Sequence, residues 1–205
     1  MSRCTKAILY KENLRHNLEQ IRKNVSPNTK ICVAVKADGY GHNAVLTAKL
    51  AQEVGGIEYF AVATVDEGIE LREANINASI ILLSLCIPEE FEKLFEYNIS
   101  PLIFGKDYIS LLSEYADRYY KDSDEKLLIH LAVDTGMGRI GCYPSEAAAQ
   151  AECINSSKHL KLAGMTTHFC VGDSIDEENQ KFTQKQYDDF CYAIQSVKDK
   201  GFDPG

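Results

Sequence analysis

The chain has 205 residues, 45% hydrophobic and 25% charged, with a formal net charge of −8 at pH 7. That size and balance describe a globular chain able to bury a substantial core, and the acidic charge argues against a non-specific hold on nucleic acid or an anionic membrane. No stretch approaches the roughly 20 apolar residues of a membrane span, and the opening MSRCTKAILYKENL lacks the long apolar core of a secretory signal.

In chain order, the pattern predicts an opening helix over Tyr10 to Val25 and then a strand in ICVAVK. Asn43 to Val54 has the apolar content of a helix packed on a sheet. YFAVAT (59–64) reads as a strand, Asp66 to Ala74 as a helix, SIILLS (79–84) as a strand with a helix after Pro88. SPLIFG (100–105) precedes a helix over Asp107 to Tyr120, and KLLIHLAV (126–133) one that starts near Ser145. LKLAGMTTHF (160–169) leads to a final helix, Glu177 to Lys198. There Phe182, Phe190, Ile194 and Val197 share a face, and Ser174 with Glu177 is expected to form the capping box.

Six strand–helix units imply a parallel sheet with right-handed crossovers. An open doubly wound sheet and a closed eight-stranded barrel both fit. No linker or composition shift divides the chain, so one domain is expected. KGFDPG ends the last helix with signals that introduce a further strand; read as a barrel, the chain is two units short.

Three motifs carry chemistry. In KICVAVKADGYGH an apolar run ends on Lys36. At the C-terminal end of a parallel strand such a lysine either faces an active site, where a neutral amine forms an imine with a carbonyl, or merely snorkels into solvent. Gly39 and Gly41 permit a tight turn, Tyr40 offers a hydroxyl, and the N–H groups of the next helix are placed to receive an anion. In DTGMGRIG, Gly136, Gly138 and Gly141 have dinucleotide-fingerprint spacing, but Pro144 and Ser145 delay the helix and no acid lies about 20 residues on. Arg139 is instead an anion or phenolate partner, or an exposed turn residue. In GMTTHFCVGDS, His168 at the sixth strand end is either a proton-handling or orienting group, or a hydrogen-bonded structural histidine. Asp173, Asp176, Glu177 and Glu178 are read as complementing the positive end of the last helix rather than as metal ligands. The seven cysteines (Cys4, Cys32, Cys86, Cys142, Cys153, Cys170 and Cys191) show no paired spacing and read as reduced thiols of a cytoplasmic protein without a metal.

Taken together, AVKADGYGH, VDTGMGRIG and GMTTHF, in this order, resemble the alanine racemase family over essentially the whole chain. The resemblance implies an α/β fold of the (β/α)8 TIM-barrel type, here incomplete with about six strand–helix units, carrying pyridoxal 5′-phosphate. By matched position, Lys36 would bind the cofactor covalently and act as one of two catalytic bases. Tyr40 would bind the cofactor phosphate. Arg139 would contact the ring's phenolic oxygen and help seat the substrate carboxylate, and His168 would lie beside the ring and help orient a further arginine downstream.

The expected activity of the complete enzyme is interconversion of L- and D-alanine, supplying D-alanine for peptidoglycan in the cytoplasm. The family is homodimeric, and self-association is expected for this chain. A serine or broad-specificity racemase and a non-catalytic pyridoxal-phosphate-binding protein are the alternatives. Residues 1–205 are expected to be a truncated barrel domain, inactive alone. The last strands, the loops that complete the phosphate site, and the C-terminal β-domain that gives a partner subunit its opposite-face tyrosine are all expected to be missing. One internal departure stands out. The family commonly places a modified lysine, or sometimes an asparagine, at the position of Ala132 to orient the arginine that matches Arg139; alanine can do neither.

Overall fold

A computed structural model of the chain describes residues 6–205. Cys4 lies outside the described residues. The chain divides into two compact units, one ending at Leu83 and the other spanning Ser84–Gly205.

The first unit opens with α1 (Lys11–Asn24), followed by β1 (Ile31–Ala34), the short left-handed turn α2 (Lys36–Tyr40), α3 (Ala44–Val54), β2 (Ile57–Val62), α4 (Val65–Glu73) and β3 (Ser79–Leu82). β1 pairs parallel with β2, and β2 with β3. Phe60, Val62, Ile80, Leu82, Leu71, Ala48 and Ala51 are almost completely buried and form this unit's core. They come from strands and from the inner faces of α3 and α4, the pattern required when helices cover a parallel sheet. Arg15 reaches Glu53 at 2.6 Å and ties α1 to α3.

The second unit contains α5 (Phe91–Glu96), β4 (Ile99–Ile103), α6 (Lys106–Tyr119), β5 (Leu127–Ala132), α7 (Ala147–Ser156), β6 (Leu160–Thr166) and α8 (Glu177–Asp199). Single 3-10 turns at Pro88–Glu90 and Pro144–Glu146 lead into α5 and α7. β4, β5 and β6 are parallel in that order. Leu127, Ile129 and Leu131 alternate with Leu128, His130 and Ala132 along β5, and all but Leu128 are buried. Strands alternating with helices, paired in parallel, are the α/β organisation expected, and six strands fall where six were expected.

Three local expectations need correction. The run from Ile31 looks buried, yet β1 alternates half-buried and exposed residues, because β2 is its partner on one side only among the described residues. Lys36 does not end that strand; the strand stops at Ala34 and Lys36 opens the left-handed turn. The capping residue of α8 is Asp176, not Ser174: its carboxylate accepts from the Glu178 and Asn179 N–H groups at 3.0 and 3.2 Å. A charged acceptor two residues nearer the helix wins at the positive end. Ser174 Oγ instead accepts from the Asp176 N–H and from Asn179 Nδ2.

Among the described residues no helix is long and apolar enough to cross a membrane. The six described cysteines are all free thiols. Burial pushes the Cys86 and Cys142 thiols up to about 12, so neither is a nucleophile near neutral pH.

Candidate functional site

The site is best built from its most strained segment. Ala37 (φ 52°, ψ 49°), Asp38 (φ 52°, ψ 46°) and Gly39 (φ 62°, ψ 35°) form a left-handed helical turn, and Tyr40 continues it at φ 54°. L-residues disfavour this region by roughly 1–2 kcal/mol each because Cβ crowds the following carbonyl oxygen. Ala37, Asp38 and Tyr40 therefore cost about 3–6 kcal/mol together, a strain that persists only where the surroundings over-determine it.

The surroundings do so from both ends. Inside the turn, Gly39 N–H donates to Val35 O at 2.7 Å and Gly41 N–H to Asp38 O at 3.1 Å. Asp38 Oδ1 accepts from the Ala44 N–H at 2.9 Å, and Asn43 Oδ1 caps Leu46 N–H at 2.8 Å. Two N–H groups at the start of α3, those of Ala44 and Leu46, are thus already taken by the chain itself. From outside, Glu67 Oε1 accepts the Ala37 N–H at 2.8 Å, while Oε2 accepts the Ala63 N–H at 2.7 Å. One carboxylate therefore bridges the segments that follow β1 and β2.

The outcome for Lys36 is a half-buried side chain whose amine has no hydrogen-bond or ion-pair partner among the described residues. Tyr40, four residues on, is 62% exposed. The turn thus carries an amine and a phenol four residues apart.

Arg139 and His168 belong to the second unit. Asp134 organises the arginine loop: its Oδ1 accepts from Gly136 and Gly138 N–H at 2.9 and 3.0 Å. The loop then folds back, with Asp134 N–H donating to Cys142 O at 2.8 Å and Cys142 N–H to Ala132 O at 3.0 Å. Gly141 sits at φ 120°, where an added Cβ would lie 2.5 Å from the Asp134 nitrogen; only glycine fits this return. These inward-facing N–H groups, and the 3-10 turn that follows, bear out the rejection of a dinucleotide loop. Arg139 projects from the loop exposed and makes no ion pair among the described residues. Ala132 is buried and offers the loop only its carbonyl.

His168 is exposed just beyond β6. Its backbone carbonyl accepts from Gln186 Nε2 at 2.9 Å, and the same amide reaches Thr135 Oγ1 at 3.2 Å. Thr135 in turn pairs with Thr167 at 2.8 Å. Gln186, fully buried on α8, therefore ties the Arg139 loop to the His168 segment and draws these two predicted residues onto neighbouring loops of one unit. Lys36 and Tyr40 share the other.

Two polar residues were missed by reading the sequence for chemistry. Glu67 had a visible signal, the Thr64-to-Glu67 capping box at the start of α4. Gln186 had a fainter one, as a polar residue on the apolar stripe of α8. A cleft of about 410 Å³ also opens beside Gly105, Gly141, Cys142 and Gln150. Gln150 in its wall accepts from the Gly105 N–H at 2.7 Å.

Comparison with known proteins places these features in a family. The family model described as "Alanine racemase, N-terminal domain" matches residues 10–205. An alanine racemase of Treponema denticola is 46% identical over 203 residues, 99% of this chain and 52% of its own length. One from Treponema pallidum is 37% identical, covering 97% of this chain and 52% of its own. Among solved structures, an alanine racemase of Clostridium difficile 630 superposes with a TM-score of 0.86 at 32% identity, over 95% of this chain and 52% of that one. That of E. faecalis gives 0.84 at 32% identity, over 92% and 49%. The chain spans about half the length of the relatives it matches. Its six strand–helix units are of the (β/α)8 barrel type expected from its motifs. This chain belongs to the alanine racemase family, matching the family's N-terminal domain.

Proposed function

We propose that this chain is the cofactor-binding portion of an alanine racemase, holding pyridoxal 5′-phosphate at Lys36 in an enzyme that interconverts L- and D-alanine. The observation that carries the reading is the Lys36 amine, without a hydrogen-bond or ion-pair partner among the described residues and presented from a left-handed turn, in a chain of this family. Residues 1–205 are read as part of the family's cofactor-binding barrel domain. A cytoplasmic location, a role in supplying D-alanine to peptidoglycan and self-association follow from the same reading.

The donors fit the cofactor's chemistry: an amine for its aldehyde (Lys36), a phenol for its phosphate (Tyr40), and a guanidinium for its phenolate and for the substrate carboxylate (Arg139). When bound, the cofactor acidifies the substrate Cα–H by delocalising the resulting charge into its ring. Lys36 would be the group that takes or returns that proton on one face. Gln186 fixes the backbone carbonyl at His168. Inversion at Cα requires a second acid/base on the face opposite Lys36.

The test is to mix the chain with cofactor and either alanine enantiomer, following near-ultraviolet and blue absorbance together with optical activity. We expect saturable absorbance changes sensitive to alanine, with racemisation at least about a hundredfold below a complete family enzyme. Absence of any spectral change would refute cofactor binding; full turnover would refute the need for a second base from elsewhere.

A further inference from the structure

We infer that Glu67 is a positioning residue for Lys36, its carboxylate setting the direction of the lysine by gripping the peptide bond that follows it. The Ala37 N–H belongs to the Lys36–Ala37 peptide, so the 2.8 Å bond to Glu67 Oε1 fixes the rotation of that plane about Lys36 Cα. The second oxygen holds the Ala63 N–H at 2.7 Å and touches the Thr64 N–H at 3.3 Å. Both donors lie just beyond β2, an ordered base for the grip.

Among the described hydrogen bonds within the turn, the others come from residues 35 to 44; Glu67 alone reaches it from 30 residues away. The turn is left-handed at two residues that are not glycine, Ala37 and Asp38. A local sequence of this kind relaxes to ordinary φ unless something outside restrains it. Relaxation rotates the Lys36 side chain away from its present direction.

Glutamine is the informative replacement. The carboxylate accepts on both oxygens, whereas the amide has one acceptor and one donor. In Glu67→Gln either Ala37 or Ala63 loses its partner and faces an N–H instead. Thr64→Ala is the matched control. It removes the hydroxyl that caps the Glu67 N–H at 3.2 Å, weakening α4 while leaving the carboxylate on Ala37.

The inference rests on the reading of Lys36 as the cofactor lysine, and the experiment separates the two. Lys36 Nζ attacks the pyridoxal-phosphate aldehyde carbon, the aldehyde oxygen leaves as water, and borohydride reduces the C=N bond to a stable secondary amine. The rate of capture at Lys36 is read by peptide mass. In parallel, hydrogen exchange at the Ala37 amide and the rate of Lys36 acetylation by acetic anhydride are measured without cofactor.

Glu67→Gln should slow capture about ten- to a hundredfold, the usual cost of misplacing a reacting group by around an ångström. It should also unprotect Ala37 selectively and change the acetylation rate, while Thr64→Ala stays within about twofold of the wild type on all three. Equal effects of the two variants at matched loss of melting temperature would overturn the inference and leave Glu67 as a helix cap. If the wild type takes no cofactor at Lys36, the proposed function fails, and exchange and acetylation still decide the role of Glu67. Should Glu67→Gln fail to fold, Glu67→Asp, one methylene too short to span both partners, is judged on the same readouts.

Discussion

On the proposed function, Lys36→Ala should remove covalent attachment of pyridoxal phosphate altogether and leave the fold intact. Lys36 is half-buried and its amine contacts no other described polar group, so truncation sacrifices some stem packing and no hydrogen bond. A substitution of this kind at a part-exposed turn typically changes stability by less than about 1 kcal/mol. Covalent capture, in contrast, has no substitute nucleophile on the turn: Tyr40 is a phenol, and Ala37, Asp38, Gly39 and Gly41 carry no amine side chain. Absorbance and reducible adduct should both fall to the level of free cofactor, with a far-ultraviolet circular dichroism spectrum unchanged. Retention of a saturable covalent adduct in Lys36→Ala would move the site elsewhere; Lys36→Arg, which keeps charge and length, should be equally inactive.

His130 carries the second large effect, on stability against pH. It lies on β5, 8% exposed, and burial holds its pKa down at about 4, against an ordinary value of 6.5. The neighbouring strand leaves it no slack: an added Cβ on Gly164 would come 2.6 Å from His130 Nδ1. Between pH 6.5 and 4 the unfolded chain binds a proton on this imidazole that the folded chain refuses. Stability is therefore full above about pH 6.5, falls as pH drops through that window, and loses nothing more from this group below about 4. The total loss is on the order of 3 kcal/mol, from about 1.36 kcal/mol per unit of pKa difference. Urea midpoints across roughly pH 4 to 7.5, compared with His130→Leu, read it directly. The leucine variant should flatten the slope in that window; an unchanged slope would assign the acid sensitivity to other groups.

How much of this was written in the residue order differs from element to element. The six strands and their helices were legible because short β-branched runs alternate with helical-period segments, and parallel pairing follows from that alternation. The turn that carries Arg139 was legible too, since its glycines announce a tight backbone, and at Gly141 an added Cβ would lie 2.5 Å from the Asp134 nitrogen. The left-handed turn was not. Gly39 and Gly41 permit positive φ, but Ala37 and Asp38 adopt it against their own preference, and that choice is imposed from Glu67, 30 residues away.

Local pattern also misplaced the cap of α8. Ser174 and Asp176 stand two residues apart with an acid suitably spaced from the first, and only geometry shows which side chain reaches the free N–H groups. Gln186 illustrates the remaining gap. Its position on an apolar stripe says that it is buried, while its partners, Thr135 and the His168 carbonyl, come from two other segments. Tertiary hydrogen bonds of this sort leave no periodic trace in the sequence.

The central claim is that the lysine held on the left-handed turn is the group that captures the cofactor. Reducing the wild-type chain with borohydride in the presence of pyridoxal phosphate and locating the modified peptide by mass spectrometry tests it most directly. The account predicts stoichiometric modification confined to Lys36; an adduct spread over surface lysines such as Lys121 and Lys181, with position 36 unmodified, would contradict it.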